Sequence, residues 1–266
     1  MFDKINPSKI LKKGILLTKT TEIKKVNALI ESLYPYKIQT DLIRLGSNGD
    51  GGYLLPNDLE GIEACFSPGV ATVSEFEMDC LKLGMKVYMA DKSVEKPNLN
   101  VPEDTYDFIK KFVGCTNNDD FITMDEWVNS KCSSEKSDLL LQMDIEGGEY
   151  HTLINTSDTL MKRFRIIVIE FHKLHNLWNP YYYDLNKVVF DKILQTHICV
   201  HIHPNNIGGF VSKLGVKIPR LAEFTFIRKD RVTSKSYANQ FPHQLDSDNT
   251  NKKTLSLPKN WYKANH

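Results

Sequence analysis

Apolar positions change their period several times along the chain. Between residues 21 and 36, Ile23, Val26, Leu29, Ile30 and Leu33 recur at helical spacing, which predicts an amphipathic helix stopped by Pro35. Packing against the outside of a larger domain is its expected role. Gly46, Gly49, Gly51 and Gly52 fall within seven residues, a density that suits a tight loop leading into the extended piece Tyr53-Leu54-Leu55. From residue 62 onward, short apolar runs alternate with helical patterns. Residues 62–67, 86–91, 138–143, 164–172, 197–203 and 222–228 read as strands, and 107–114 as one more candidate. Residues 74–84, 121–131, 149–162 and 181–196 read as helices. The first is closed by Gly84, and in the second Thr123 precedes Glu126 by three, a capping pair. Residues 204–220 are rich in Gly, Asn and Pro and read as a loop, and no internal repeat is present.

This alternation predicts an α/β domain with a largely parallel sheet over residues 41–230. A helical N-terminal extension over 1–40 precedes it, and a polar, irregular tail over 231–266 is expected to wrap it. Ligands of such sheets bind at the carboxyl ends of the strands. Here those ends carry Ser67-Pro68-Gly69, Asp91, Asp144 with Glu146, Glu170 with His172, and His203 with Asn205 and Asn206.

The charge balance of +1 lacks the basic surplus of a duplex-binding protein, so nucleic acid is not the expected partner. No apolar run is long enough to cross a membrane. The five cysteines, Cys65, Cys80, Cys115, Cys132 and Cys199, are scattered and form no CxxC pair, which fits a reducing compartment. With no cleavage pattern at the N-terminus, the expected location is the cytoplasm.

Gly69 follows the first strand of the alternation, and Asp91 lies 22 residues later at the end of the second. That spacing suits a carboxylate accepting hydrogen bonds from a ribose diol. The turn itself lacks the GxGxxG of a pyrophosphate site, so an adenosine-type ligand is the better expectation. The stretch from Gln142 to Tyr150 places Asp144, Glu146 and Glu149 directly after a buried strand, and carboxylates are not spent there without partners. Glu149 is expected in the first turn of the next helix, where the helix dipole favours an acid. Glu170 ends the run Ile166–Ile169, and His172 follows on the same side as a candidate base or metal ligand, while His175 reads as a loop residue. His201 and His203 alternate on one strand face, a pattern open to a divalent cation or to a hydrogen-bonded substrate. Asn205 and Asn206 suit a polar ligand such as a sugar.

The stretch from Leu139 to Ile154, with residues 121–127 upstream and 166–172 downstream, resembles the FkbM-type class I methyltransferases, which use S-adenosylmethionine. The glycine-rich segment 46–56 and the late segments 201–206 and 218–228 resemble the branch found in polysaccharide and O-antigen gene clusters. The resemblance implies a Rossmann-like, seven-stranded, mostly parallel sheet whose last strand pair is antiparallel. It implies that Asp50, Gly51, Gly52 and Tyr53 close over the cofactor, that Ser67, Pro68 and Gly69 line it, and that Asp91 grips its ribose. Phe66-Ser67-Pro68 replaces the acidic lead usual in the first motif, and Glu75 is the candidate to replace that acid. The adenine pocket is expected near residues 115–120.

The implied reaction is O-methylation of a sugar hydroxyl on a nucleotide-linked sugar or glycan of a capsule or O-antigen precursor. Because such a hydroxyl is hardly ionised at neutral pH, a base or a metal is required. By the same resemblance Asp144, Glu170 and His203, or His201 in its place, hold Mg²⁺ or Mn²⁺. His172 is the expected base, with Asp144 and Glu170 beside it, and His201, Asn205 and Asn206 bind the sugar. A metal-free version leaves His172 or His203 as the direct base. The competing classes are a nicotinamide-dependent oxidoreductase and a catalytically silent nucleotide-binding scaffold.

Overall fold

The computed structural model describes residues 18–70 and 74–264, so the first seventeen positions of the expected extension lie outside the described residues. The periodic segment forms α1 (Ile23–Ser32) with Val26, Leu29 and Ile30 buried. Short strands follow: β1 (Tyr36–Ile38), β2 (Leu42–Leu45) and β3 (Tyr53–Pro56). The alternating domain then runs β4 (Ala64–Pro68), α2 (Glu75–Lys82), β5 (Lys86–Ala90), β6 (Asp107–Ile109), β7 (Phe112–Gly114), β8 (Phe121–Thr123) and α3 (Met124–Lys131). After these come β9 (Leu139–Met143), α4 (Glu149–Asn155), α5 (Asp158–Arg163), β10 (Phe164–Phe171) and α6 (Pro180–Thr196). The chain ends with β11 (His197–Pro204), β12 (Phe210–Lys213), β13 (Val216–Pro219), β14 (Ala222–Arg228) and β15 (Lys235–Tyr237).

Seven strands form one sheet in the order β11-β14-β10-β9-β4-β5-β6. Neighbours are parallel from β10 to β6, and β14 runs antiparallel between β10 and β11. This is the fold class expected from the sequence, a Rossmann-like α/β sheet with its reversed strand near one edge. All eight residues of β10 are buried, as a strand covered on both faces requires. Phe171 packs against Phe190 and Phe224 at ring-centroid distances of 4.8 and 5.5 Å. Each fully buried Phe or Ile of this kind contributes about 2 kcal/mol by leaving water.

Three segments differ from their sequence reading. Residues 107–114 make two strands broken at Lys110-Lys111: only β6 joins the main sheet, while β7 pairs with β8. The helical stretch 149–162 breaks at Thr156. There Ser157, whose N–H donates to Asp125 Oδ2 at 2.8 Å, uses its hydroxyl to cap α5 through Leu160 N at 3.1 Å. The loop 204–220 contains the β12–β13 hairpin. In the C-terminal segment, β15 pairs with β1, and Trp261 is buried with its indole N–H donating to Lys217 O at 2.9 Å.

Among the described residues, no helix is long and apolar enough to cross a membrane.

Candidate active site

The two ends of the sheet treat buried charge in opposite ways. At the amino end, Asp138 meets Arg165 at 2.7 Å and Arg228 at 2.6 Å, and Arg231 holds Asp58 at 2.7 Å. Burial works against the charge of Asp138, but the two guanidinium groups outweigh it and lower its pKa. At the carboxyl end, acids from the turn after β9, the start of α4 and the end of β10 gather around one imidazole.

That imidazole is His172, just past the end of β10. Its Nδ1 lies 3.0 Å from Glu149 Oε1, and its Nε2 lies 3.3 Å from Glu146, 3.4 Å from Glu170 and 3.9 Å from Asp144. The backbone beneath it is pinned: the hydroxyls of Tyr150 and Tyr182 both donate to the His172 carbonyl, at 2.8 and 3.1 Å. Burial opposes a charge on the ring, but Glu149, Glu170 and Asp144 together raise its pKa. Burial also raises Asp144 and Glu170, and each is raised further by neighbouring carboxylates. Both shifts favour the protonated carboxyl over the charged one, as expected where several acids are buried side by side.

Glu149 is completely buried, and its Oε1 also accepts from Gly147 N at 3.0 Å and Ile145 N at 3.3 Å. Its position in the first turn of α4 agrees with the helix-dipole reading, but its side chain turns back into the site. The turn that permits this has Glu146 at φ 55° and Gly147 at φ 105°. Glu149 Oε2 and Asp144 Oδ1 are shielded from water and have no hydrogen-bond partner. Among the described residues, Asp144, Glu149 and His172 form a group whose possible metal-ligating atoms all lie within 4.8 Å of one another. Two orphaned carboxylate oxygens beside an imidazole fit a divalent cation, because an unpaired buried oxygen is costly and a cation would satisfy both.

The other expected metal ligand, His203, stands apart from this group. Its Nδ1 faces Asp246 at 3.4 Å, and His201 Nε2 binds the same carboxylate at 2.8 Å. Burial opposes the charge of Asp246, but the two histidines hold it well below the usual carboxylate range. Asn206 is likewise spent on the tail: its amide donates to Thr250 O and Lys252 O and accepts from Thr250 N. Asn205 alone of this group reaches the acidic cluster, donating to Glu170 Oε2 at 3.1 Å. The structure thus brings together Asp144, Glu170, His172 and Asn205, while His201 and Asn206 are bonded to the C-terminal segment and His203 faces Asp246, its two ring nitrogens buried without a hydrogen-bond partner.

The neighbouring strand ends hold the residues expected at a cofactor. Gly69 has φ 88°, and a Cβ there would lie 1.7 Å from the Asp144 carbonyl oxygen, so the end of β4 presses directly on the end of β9. Ser67 is buried, its hydroxyl between Glu77 Oε1 and Gln142 Oε1. A hydroxyl has one proton to give, so the second oxygen needs its own. Burial pushes the Glu77 carboxyl up to about 7, which favours the protonated form able to donate it. Glu77, not the exposed Glu75, is the acid that reaches the first strand. Asp91 is buried after β5, with Oδ1 accepting from the backbone and hydroxyl of Ser93, both at 2.7 Å. Pro68 closes β4 between Ser67 and Gly69.

The glycine loop folds back over this region. A Cβ on Gly52 would lie 1.9 Å from Ser47 O, and Arg44 ties the loop through Ser47 O at 2.6 Å and Gly49 O at 2.9 Å. Gly51 adopts φ 75°. Tyr53 is buried, and burial followed by Asp144, Glu170 and Glu223 raises its hydroxyl pKa strongly, which places it beside the acidic cluster. Asp50 accepts from Asn249 of the tail at 3.3 Å, and the same amide donates to Glu223 at 2.9 Å.

A buried carboxylate after β5, a close glycine turn after β4 and an acidic cluster after β9 and β10 lie side by side on this sheet. Together they form one rim at the carboxyl end of the sheet. Residues 97–196 match the Methyltransferase FkbM domain. The matched segment includes Asp144, Glu149, Glu170 and His172 and ends before β11. Among curated proteins, none matches the sequence. Solved structures with a similar fold include an rRNA methylase from Streptococcus thermophilus, 7% identical with a TM-score of 0.36, covering 80% of this chain and 99% of that one. Another is magnesium protoporphyrin IX methyltransferase (ChlM) from Synechocystis PCC 6803 with bound SAH, 12% identical with a TM-score of 0.31, covering 65% of this chain and 76% of that one.

Proposed function

We propose that the protein is an S-adenosylmethionine-dependent O-methyltransferase acting on a sugar hydroxyl, in the context of capsule or O-antigen precursors. One observation carries this reading: the cluster of Asp144, Glu170 and His172 adjoins the turn at Gly69, so an acceptor oxygen held by the cluster faces the cofactor side of the sheet. S-adenosylmethionine, when bound, supplies an activated methyl group. Asp91 accepts hydrogen bonds from its ribose hydroxyls, Ser67 to Gly69 give it a surface of close backbone, and Asp50 to Tyr53 cover it. Gly69 leaves room there because it has no side chain to place.

The acceptor oxygen must lose a proton during transfer. The cluster takes that proton: its carboxylates accept it, and His172 stabilises the negative charge that remains. Glu149 holds the ring so that Nε2 faces Glu170 and Asp144, and the alignment gained in this way lowers the barrier further. Asn205 fixes Glu170. A divalent cation held by Asp144, Glu149 and His172 would lower the pKa of the acceptor hydroxyl. This set takes the place of the one containing Glu170 and His203, which lie outside the group of closely spaced ligating atoms.

Calorimetric titration with S-adenosylhomocysteine and with NAD tests the cofactor. Binding of the first without the second is expected, and the opposite result overturns the reading. Incubation with labelled S-adenosylmethionine and candidate acceptors then tests the reaction. Label is expected on a sugar oxygen, and label on nitrogen or on nucleic acid overturns the proposed acceptor.

A further inference from the structure

A cavity of about 560 Å³ opens between β1, the start of β2, the edge strand β11 and residues 236–244 of the tail. Aromatic surface comes from Tyr36 and Tyr237, stacked with centroids 4.6 Å apart, and from Phe241. Asp41, Asn239, Gln240 and Gln244 also line it, and among the described residues their side chains make no hydrogen bond or ion pair within the protein. The back wall is His201, buried and fixed by Asp246. Flat aromatic faces beside amide and carboxylate groups suit the alternating C–H faces and hydroxyl edges of a sugar ring, and the volume lies within the range of small-molecule sites.

The cavity is joined to the acidic cluster in two ways. The chain that lines it continues into Asp246, which binds His201 and His203, and then into Asn249, which binds Glu223 and Asp50. In the sheet, His203 is paired with Glu223 and Glu223 with Glu170, so one row of residues crosses β11, β14 and β10. That buried row spans two strand spacings, about 10 Å, so a ligand touching both the cavity and the cluster would be longer than one sugar ring.

We infer that this cavity is a distal subsite that holds a second sugar unit of the acceptor, so that the substrate is an oligosaccharide or glycan rather than a single activated sugar. The inference rests on the reading of the protein as a sugar O-methyltransferase. It goes further by choosing among the acceptors and by assigning Asn239, Gln240 and Tyr237 to recognition.

The test uses the full chain, a microarray of bacterial glycans, and the variants Asn239→Ala with Gln240→Ala, and Tyr237→Ala. Binding is read on the array without cofactor, so it does not depend on methyl transfer. The expected result is retention of oligosaccharides and a loss of about tenfold in affinity in each variant, the size of one or two missing hydrogen bonds or one stacked ring. With the best-bound glycan as acceptor, KM is expected to rise by the same factor while kcat stays unchanged. Equal binding by the wild type and both variants, or no binding of any glycan, overturns the distal subsite. Retention that depends on Gln240 with no methylation of the retained glycan supports the subsite and counts against the proposed reaction instead.

Discussion

Glu149 Oε1 lies 3.0 Å from His172 Nδ1, although Glu149 opens a helix and His172 follows a strand, 23 residues apart in the chain. The contact sets which ring nitrogen faces the acidic cluster. It also explains why a helix-start acid is fully buried. Glu149→Gln keeps the shape and the backbone contacts but removes the charge behind the ring. Turnover is expected to fall by roughly tenfold or more, with affinity for S-adenosylhomocysteine changed less than about twofold, because one oriented charged hydrogen bond is lost far from the ribose. Steady-state kinetics with parallel calorimetry checks this, and an unchanged kcat removes Glu149 as the orienting group.

The cation-binding set has its own test. Calorimetric titration of metal-free protein with Mn²⁺ is expected to show one site, which Asp144→Asn and Glu149→Gln weaken by about tenfold or more. His203→Gln is expected to leave it intact, since that ring faces Asp246. Weakening by His203→Gln alone would return the site to the edge strand, and full activity after chelation would leave the cluster to act without metal.

Gly69 and Gly84 both adopt positive φ, 88° and 82°, but their surroundings differ. A Cβ on Gly84 meets nothing within 4 Å, so Gly84→Ala should cost only the backbone term, about 1 kcal/mol. Gly69→Ala drives a methyl into the Asp144 carbonyl and should cost roughly 3 kcal/mol or more, or separate β4 from β9. Urea denaturation of the two variants measures the contrast, and similar midpoints would remove the close β4–β9 contact.

His197 offers a pH test away from the site. Its Nε2 donates to Phe164 O at 2.7 Å and its Nδ1 accepts from the Thr196 hydroxyl at 2.8 Å, so the neutral ring is matched on both nitrogens. Burial depresses its pKa to about 4 in the folded chain. The unfolded chain, with a histidine pKa near 6.5, binds a proton first as pH falls. Folding stability is therefore unaffected by this group above about pH 6.5, declines between there and pH 4, and loses up to roughly 3 kcal/mol below it. Denaturation midpoints followed from pH 7.5 to 4 should show the decline, and His197→Gln should flatten it. An identical slope in the variant would assign the loss to other groups.

How much of this was legible in the chain differs between fold and site. The alternation of apolar runs and helical patterns fixes the α/β class, since a strand buried on both faces must be apolar throughout and a covering helix must be apolar on one stripe. Asp91, Asp144, Glu170 and His172 could be picked as candidates because each lies at the end of a buried strand, and parallel strands present their carboxyl ends on one rim. Glu223 also carried a readable signal, a lone acid within the buried run 222–228, yet it belongs to no motif.

Partnership between side chains was not readable. Whether His203 faces His172 or Asp246 depends on where a polar tail of no regular pattern comes to rest, and that is settled by packing of Trp261 and pairing of β15 with β1. Glu149 and Glu77 lie on helices whose sequence shows acids near an N-terminus, a pattern equally suited to solvent. Only the tight turns at Gly147 and Gly69 and the close approach of β4 to β9 bring those carboxylates inward. Local periodicity determined which elements form and which residues sit at their ends. The tertiary structure decided which charges meet, because burial and pairing of a charge depend on contacts that sequence spacing does not encode.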